Sequence, residues 1–508
     1  MVTTIKRYLF LALSALFLSS AAFANNVTVS NVTLTGQDAT NDYVFVKFDT
    51  SWENSWRTSS APTNWDAVWV FVKYKVGSGD WQHATLSGTA SNHTAPSGST
   101  ITPPSDGKGA FIYRSADGSG TVSLSDVQLR WNYGADGVAD DAQVTLDVFA
   151  TEMVYVPTGS FSLGSGGAGT SEFYQYPTTP GTYTVSSENA ITVGASAGNL
   201  YYASSTYGGD QSGPIPGSFP KGFAAFYCMK YDITQEQYVD FLNTLTYTQQ
   251  TTRTAVSPGS AAGTKAMTTG TTYRNGIEVQ SPGSAGTSAV YACDLTDNGT
   301  YNASDDGQNV ACNWLSWADD AAYADWAALR PMTELEYEKA CRGTAAAVAD
   351  EYAWGSTSIT QSTGITNVGV GSETASNGAA NCVYGDHASV QGPMRAGSFA
   401  TSGSARVAAG ATYYGVMEMS GNLWERCVTI GNSDGRSYTG SHGDGVLDST
   451  GNANAGSWPG TDASGAGHRG GDWSNAVVNA RVADRNNAAD TNSNRSHGIG
   501  FRGERLAP

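Results

Sequence analysis

The 508-residue chain carries 27 basic and 45 acidic residues, a formal net charge of −18, with only 14% of positions charged. That acid excess excludes a nucleic-acid partner, because phosphate binding needs a concentrated Lys/Arg surface; it tolerates cations instead. Sixty glycines, 26 tyrosines and a mean hydropathy of −0.29 describe a folded, loop-rich chain of about two to four domains, not a disordered one.

Lys6 and Arg7 precede an apolar run, Tyr8 to Ser20, and the small-x-small site Ala22-Phe23-Ala24. This reads as a secretory leader cleaved near Ala24, too short to span a bilayer, and no later run is long enough. The expected product is secreted or held at the cell surface with no membrane span. Cysteines 228, 293, 312, 341, 382 and 427 then read as disulfide candidates, Cys293 with Cys312 first because they flank an acidic loop. No Cys-x-x-Cys is present.

From residue 25 to 150, period-2 runs such as Val44-Val46-Phe48 and Val68-Val70-Val72, separated by turn residues, predict an antiparallel all-β sandwich. Its tryptophans (Trp52, Trp56, Trp65, Trp69, Trp81) fit either strand packing or a carbohydrate platform. A second domain, 152–508, opens at Met153. Thr234-x-x-Gln237 predicts a helix to Leu245, Ser316-x-x-Asp319 one to about Leu329, and Thr333-x-x-Glu336 one ending near Cys341 with Gly343 as its stop. The rest is irregular, and so much loop needs metal ions, disulfides or dense hydrogen bonding to hold it.

Several blocks of this second region form a series: Met153-Val-Tyr-Val-Pro-Thr-Gly-Ser-Phe, Phe226-Tyr-Cys-Met-Lys-Tyr-Asp-Ile-Thr, Arg330-Pro-Met-Thr-Glu-Leu-Glu-Tyr, Tyr352-Ala-Trp-Gly, Tyr414-Gly-Val-Met-Glu-Met-Ser-Gly-Asn-Leu-Trp-Glu425, Arg469-Gly-Gly-Asp-Trp473 and Gly498-Ile-Gly-Phe-Arg502. In this order they resemble the formylglycine-generating enzyme (sulfatase-modifying factor) family over residues 152 to 505. The resemblance implies an α+β fold, C-type-lectin-like, with long irregular loops. It also implies, for catalytic members, oxidation of a sulfatase cysteine or serine to an aldehyde, with copper(I) held by two cysteines just after the Gly-Gly-x-Trp block.

Here Gly470-Gly471-Asp472-Trp473 runs on to Ser474-Asn475-Ala476-Val477-Val478-Asn479-Ala480-Arg481, and no cysteine follows Cys427. Hydroxyls and amides are hard ligands and do not replace a thiolate pair for copper(I). The scattered histidines (83, 93, 387, 442, 468, 497) form no His-x₃-His pair for the iron of other relatives. Neither copper nor iron is expected, and no catalytic residue is assigned. Gly431-Asn-Ser433-Asp-Gly435 matches a nucleophile elbow in pattern but reads as a turn.

Calcium is the cofactor the resemblance implies. Position by position its ligands fall on Glu418, the carbonyls of Gly421 and Leu423, and Glu425, hard oxygens suited to Ca²⁺. A second family site falls on Asn381 and the carbonyl of Cys382, with Asp386 as a guess for a third ligand. Asp294 to Asp305 nearly fits an EF-hand loop and reads as either a cation loop or an acidic surface loop. In this fold the stretch 472–497 lines the peptide pocket, so Trp424, Asp472, Trp473, Asn475, Asn479, Arg481 and Arg485 are the candidate ligand-binding residues for a protein, peptide or glycan. Two readings stay open: a secreted binding or surface-recognition protein on a scaffold without the cysteine pair, and an oxidoreductase of the same family using an unrecognised site.

Overall fold

The computed structural model describes residues 27–167, 171–203, 208–401 and 403–508; the leader read at 1–24 lies outside them. The N-terminal strands are β1 (Thr28–Asp38), β2 (Tyr43–Arg57), β3 (Asp66–Val76), β4 (Ser99–Thr102), β5 (Ala110–Arg114), β6 (Gly118–Trp131) and β7 (Val144–Val156). Strands β1, β2 and β6 form a three-stranded sheet, whereas β3, β4, β5 and β7 belong to another. The alternation in β2 buries Val44, Val46 and Phe48 against Val68, Val70 and Val72 of β3, so the two sheets face each other across one core.

Strand β3 is buried on both sides, which is why its sequence is almost continuously apolar. Its alternate residues Trp69 and Phe71 point away from the first sheet, into a core shared with Tyr238, Phe241, Tyr323 and Trp326. Those four belong to helices α1 (Gln235–Asn243) and α3 (Trp317–Trp326), while α2 is Tyr247–Arg253. Each fully buried aromatic contributes about 1.5–3 kcal/mol by removal from water.

The N-terminal strands do not close off as a unit. Strand β7 pairs with β3 from Val144↔Val76 to Val154↔Asp66, and its end pairs with β8 (Phe226–Met229). The expected boundary at 150–152 falls inside this unbroken strand. Beyond β8 the sheet continues through β9 (Arg330–Thr333), β10 (Trp424–Val428), β11 (Ala466–Arg469) and β13 (Gly503–Leu506), with β12 (Ile499–Gly500) beside β10. The order is β11-β10-β9-β13-β8-β7-β3-β5-β4, eleven strands counting β12 and the short Gln82–His83. Pairing is antiparallel except β9–β10 and β10–β12, so the architecture is sheet-rich α+β with few helices.

All three expected capping boxes form, on α1, α3 and α4 (Glu334–Arg342), the last stopped by Gly343 at φ +61°. The first two helices end before Leu245 and Leu329. The loop-rich half is bound to α4 by charge: Arg469 reaches Glu334 at 3.0 Å and Glu338 at 2.7 Å, and Arg485 grips both oxygens of Glu334 at 2.7 and 2.9 Å. No helix among the described residues is long and apolar enough to cross a membrane.

The tryptophan platform does not assemble. Trp52 and Trp69 are fully buried core residues, and Trp65 stacks on Tyr155 at 4.0 Å. The six cysteines are all buried and unpaired: the expected Cys293–Cys312 bond is absent, and both residues pack as small apolar groups in one core.

Candidate functional site

After β11 the chain turns sharply through Gly470 and Gly471, at φ +93° and +72°. The carboxylate of Asp472 then closes the turn, its Oδ1 accepting from Ser474 N, Ser474 Oγ and Asn475 N at 2.8–2.9 Å. Trp473 swings inward, 2% exposed, and donates Nε1–H to the carbonyl of His497 at 3.1 Å. Gly498 is required here, because a Cβ would collide with the Asp472 carboxylate.

Around Trp473 stand Tyr273 at 5.0 Å and His497 at 5.1 Å between ring centroids, with Trp314 5.9 Å from His497. Tyr273, Trp314 and His497 are half-buried, so they form an accessible rim over the buried indole. Buried Asn313 ties the segments together, donating to the carbonyls of Tyr273 at 2.9 Å and His497 at 3.1 Å. Tyr273 and Trp314 both hold left-handed backbone, φ +46° and +60°, a costly conformation for bulky side chains that clusters at functional sites.

The expected ligand-binding residues divide. Asp472 and Trp473 are buried beneath this rim, and Trp424 is buried beside His468. Arg485 is a core residue: its guanidinium pairs with Glu334 and lies between Phe173 and Tyr202, 4.0 and 4.2 Å from their rings. Arg481 pairs with Asp350 at 2.8 Å near the surface, and Asn475 and Asn479 are half-buried. The stretch contributes buried Trp473 and half-buried His497 to this cluster, but the accessible aromatic surface comes largely from Tyr273 and Trp314, which lie on distant segments that no local pattern connects to it.

At the expected calcium position Glu418 and Glu425 are buried, and each keeps one carboxylate oxygen, Oε2, without a hydrogen-bond partner among the described residues. Glu418 Oε1 accepts from Gly397 N at 2.7 Å, and Glu425 Oε1 from Arg502 Nε at 2.6 Å. The carbonyls of Gly421 and Leu423, also buried, accept no hydrogen bond among the described residues. Burial, with the charge of Asp232 beside it, pushes Glu418 up to about 8. Burial likewise pushes Glu425 well above the carboxylate range, against the pull of Arg502. Unpartnered buried oxygens on Glu418 and Glu425, with acid in Asp232 beside Arg502 and Arg395, are hard donors of the type a calcium ion takes; Glu418 and Glu425 would be its side-chain ligands, with the carbonyls of Gly421 and Leu423.

The second calcium set fits poorly. Asn381 Oδ1 already accepts from Thr360 N at 2.8 Å, the Cys382 carbonyl from Ser362 N at 2.9 Å, and Asp386 from Gln391. In the Asp294–Asp305 loop, Asp294 takes the N–H groups of Asn298 and Gly299 and the Thr296 hydroxyl, so protein donors do what a cation would. Ser433 opens a one-turn helix, Ser433–Arg436, without left-handed strain, so the elbow pattern is a capped turn. Among the described residues no three His, Cys, Asp or Glu side chains gather as a metal centre; the calcium set, with two side chains and two carbonyls, is a different kind of group.

Burial raises all six thiols, Cys341 to about 12 and Cys228, Cys293, Cys312 and Cys427 well above their ordinary value, with Cys382 moved the same way. Such groups stay protonated and make poor thiolate ligands or nucleophiles.

No curated protein matches the chain. The family model described as sulfatase-modifying factor enzyme 1-like domain matches residues 142–505, starting just ahead of β7 and taking in the whole rim. The chain belongs to the sulfatase-modifying factor family.

Proposed function

We propose that this chain is an exported, non-oxidising member of its family. Its scaffold, arranged like a C-type lectin and stabilised by calcium, holds a protein, peptide or glycan on the rim of Tyr273, Trp314 and His497. The N-terminal strands serve as a β-sandwich spacer or second binding module. One observation carries this reading: beside the Gly-Gly-Asp-Trp turn the chain offers strained, half-exposed aromatic rings and no cysteine beyond residue 427. Aromatic side chains bring large contact area at low entropic cost, which suits gripping, whereas oxidation through copper(I) needs a thiolate pair.

The test is a screen of the purified chain against immobilised glycans and peptides, followed by Trp314→Ala and Tyr273→Ala. Anchoring aromatics of this kind typically contribute about 2 kcal/mol or more, so each substitution is expected to weaken capture at least ~30-fold. Capture that survives both substitutions unchanged would remove the rim from the account.

A further inference from the structure

A polar cleft of about 370 Å³ lies where the end of α2 meets the start of α3 and the 493–495 segment. Eight of the nine side chains lining it are polar: two arginines (Arg253 and Arg495), four hydroxyls and two amides, among them Asn452 and Asn494. Both guanidinium groups share one carboxylate, Asp319, at 3.1 and 2.8 Å. Asp319 is itself committed to the α3 capping box, taking Ser316 N at 3.0 Å and Ser316 Oγ at 2.7 Å.

Two guanidinium groups bond one carboxylate directly; Asp320 also lies beside Arg253, but it is shared with Arg426 and burial pushes it well above the usual carboxylate range, so positive charge predominates here on a chain whose net charge is −18. Each arginine also has donors to spare. Arg253 engages Ala318 O, Asn452 Oδ1 and Asp319, and Arg495 engages Thr252 O, Thr254 O and Asp319. A guanidinium has five N–H donors; the Nε of each is buried away from the cleft, and the bonds above leave one N–H unused on Arg253 Nη2 and one on Arg495 Nη1. The N–H groups of Trp317 and Ala318, at the start of the ten-residue α3, are likewise unbonded among the described residues. Such a concentration of unused donors and positive charge matches an oxyanion. The surrounding hydroxyl and amide groups match a polyhydroxylated body, and the cleft is much larger than a bare ion.

We propose that this cleft is a binding site for an acidic sugar, a monosaccharide unit bearing one carboxylate or sulfate. The site adjoins the aromatic rim, since Trp314 N donates to the Ser496 carbonyl at 3.0 Å between the two, but its lining uses none of the rim's rings and the proposal does not rest on them. Its acid group sits between Arg253 and Arg495 and its hydroxyls meet the amide and hydroxyl wall.

The full chain is titrated with glucuronic acid, glucose 6-sulfate, neutral glucose and sodium sulfate at constant ionic strength, read by calorimetry or chemical-shift change. Both acidic sugars are expected to bind, at least ~10-fold tighter than glucose or sulfate. Arg495→Gln should weaken them at least ~10-fold. Should Arg495→Gln not fold, Asn494→Asp serves, an exposed lining residue that places a negative charge at the mouth and should weaken the acidic sugars similarly. Glucose binding as well as glucuronate, sulfate alone binding as tightly as the sugars, no binding up to about 50 mM, or indifference to Asn494→Asp would each overturn the proposal.

Discussion

Replacing Arg485 with Met tests whether the C-terminal stretch is held from inside, as the structure has it, or offers this arginine to a ligand. The guanidinium is fully buried, makes two bonds to Glu334 at 2.7 and 2.9 Å and is clasped by Phe173 and Tyr202. Methionine fills similar volume, so the change removes charge and hydrogen bonds more than packing. Breaking a buried pair leaves its partner uncompensated and costs about 3–5 kcal/mol. Arg469 still reaches Glu334 at 3.0 Å, which puts the expectation at the lower end, about 3 kcal/mol. Urea unfolding followed by tryptophan fluorescence at 25 °C measures it. A loss under about 1 kcal/mol refutes the argument.

Calcium in excess should raise the melting temperature and EDTA lower it, since a ligand at 100 times its Kd stabilises by about 2.7 kcal/mol; Glu425→Gln should abolish the response, and an unmoved melt contradicts the ligand set. In calcium-free protein, Glu418 binds its proton more tightly folded than unfolded. Its favourable contribution is therefore complete below the ordinary value of 4.5 and is lost as pH rises through about 8. Relative to wild type, Glu418→Gln should flatten the melting temperature between those limits, and parallel profiles would speak against this. A thiol reagent should find no reactive cysteine in the native chain and all six after unfolding; fewer than six would bring back the disulfides expected from the compartment.

Helices were legible wherever a capping box met an apolar stripe, as at Thr234, Ser316 and Thr333. The missed helix α2 has its box, Thr246 with Gln249, but its body Tyr-Thr-Gln-Gln-Thr-Thr-Arg carries no apolar face to announce it. The alternating strands of residues 25–150 were equally plain. Nothing in them revealed that β3 and β7 continue into the C-terminal sheet, because strand pairing between distant segments leaves no periodic mark. The turn at Gly470-Gly471-Asp472-Trp473 could be located from its motif. Yet Tyr273 and Trp314 reach it through long-range contacts no spacing encodes: Tyr273 against the Trp473 ring, Trp314 N to the Ser496 carbonyl, and buried Asn313 tying Tyr273 to His497. Arg485 was misread for a related reason: an arginine in a polar stretch looks solvated until Glu334, 151 positions away, is placed beside it.

The most direct test of the central claim is oxygen consumption. The purified chain is incubated in air with copper(I), a thiol reductant and cysteine-containing sulfatase-motif peptides, following dissolved oxygen and peptide mass together. The account predicts no protein-dependent oxygen uptake and no aldehyde on the peptide. Catalytic turnover that converts the peptide thiol to an aldehyde would contradict it.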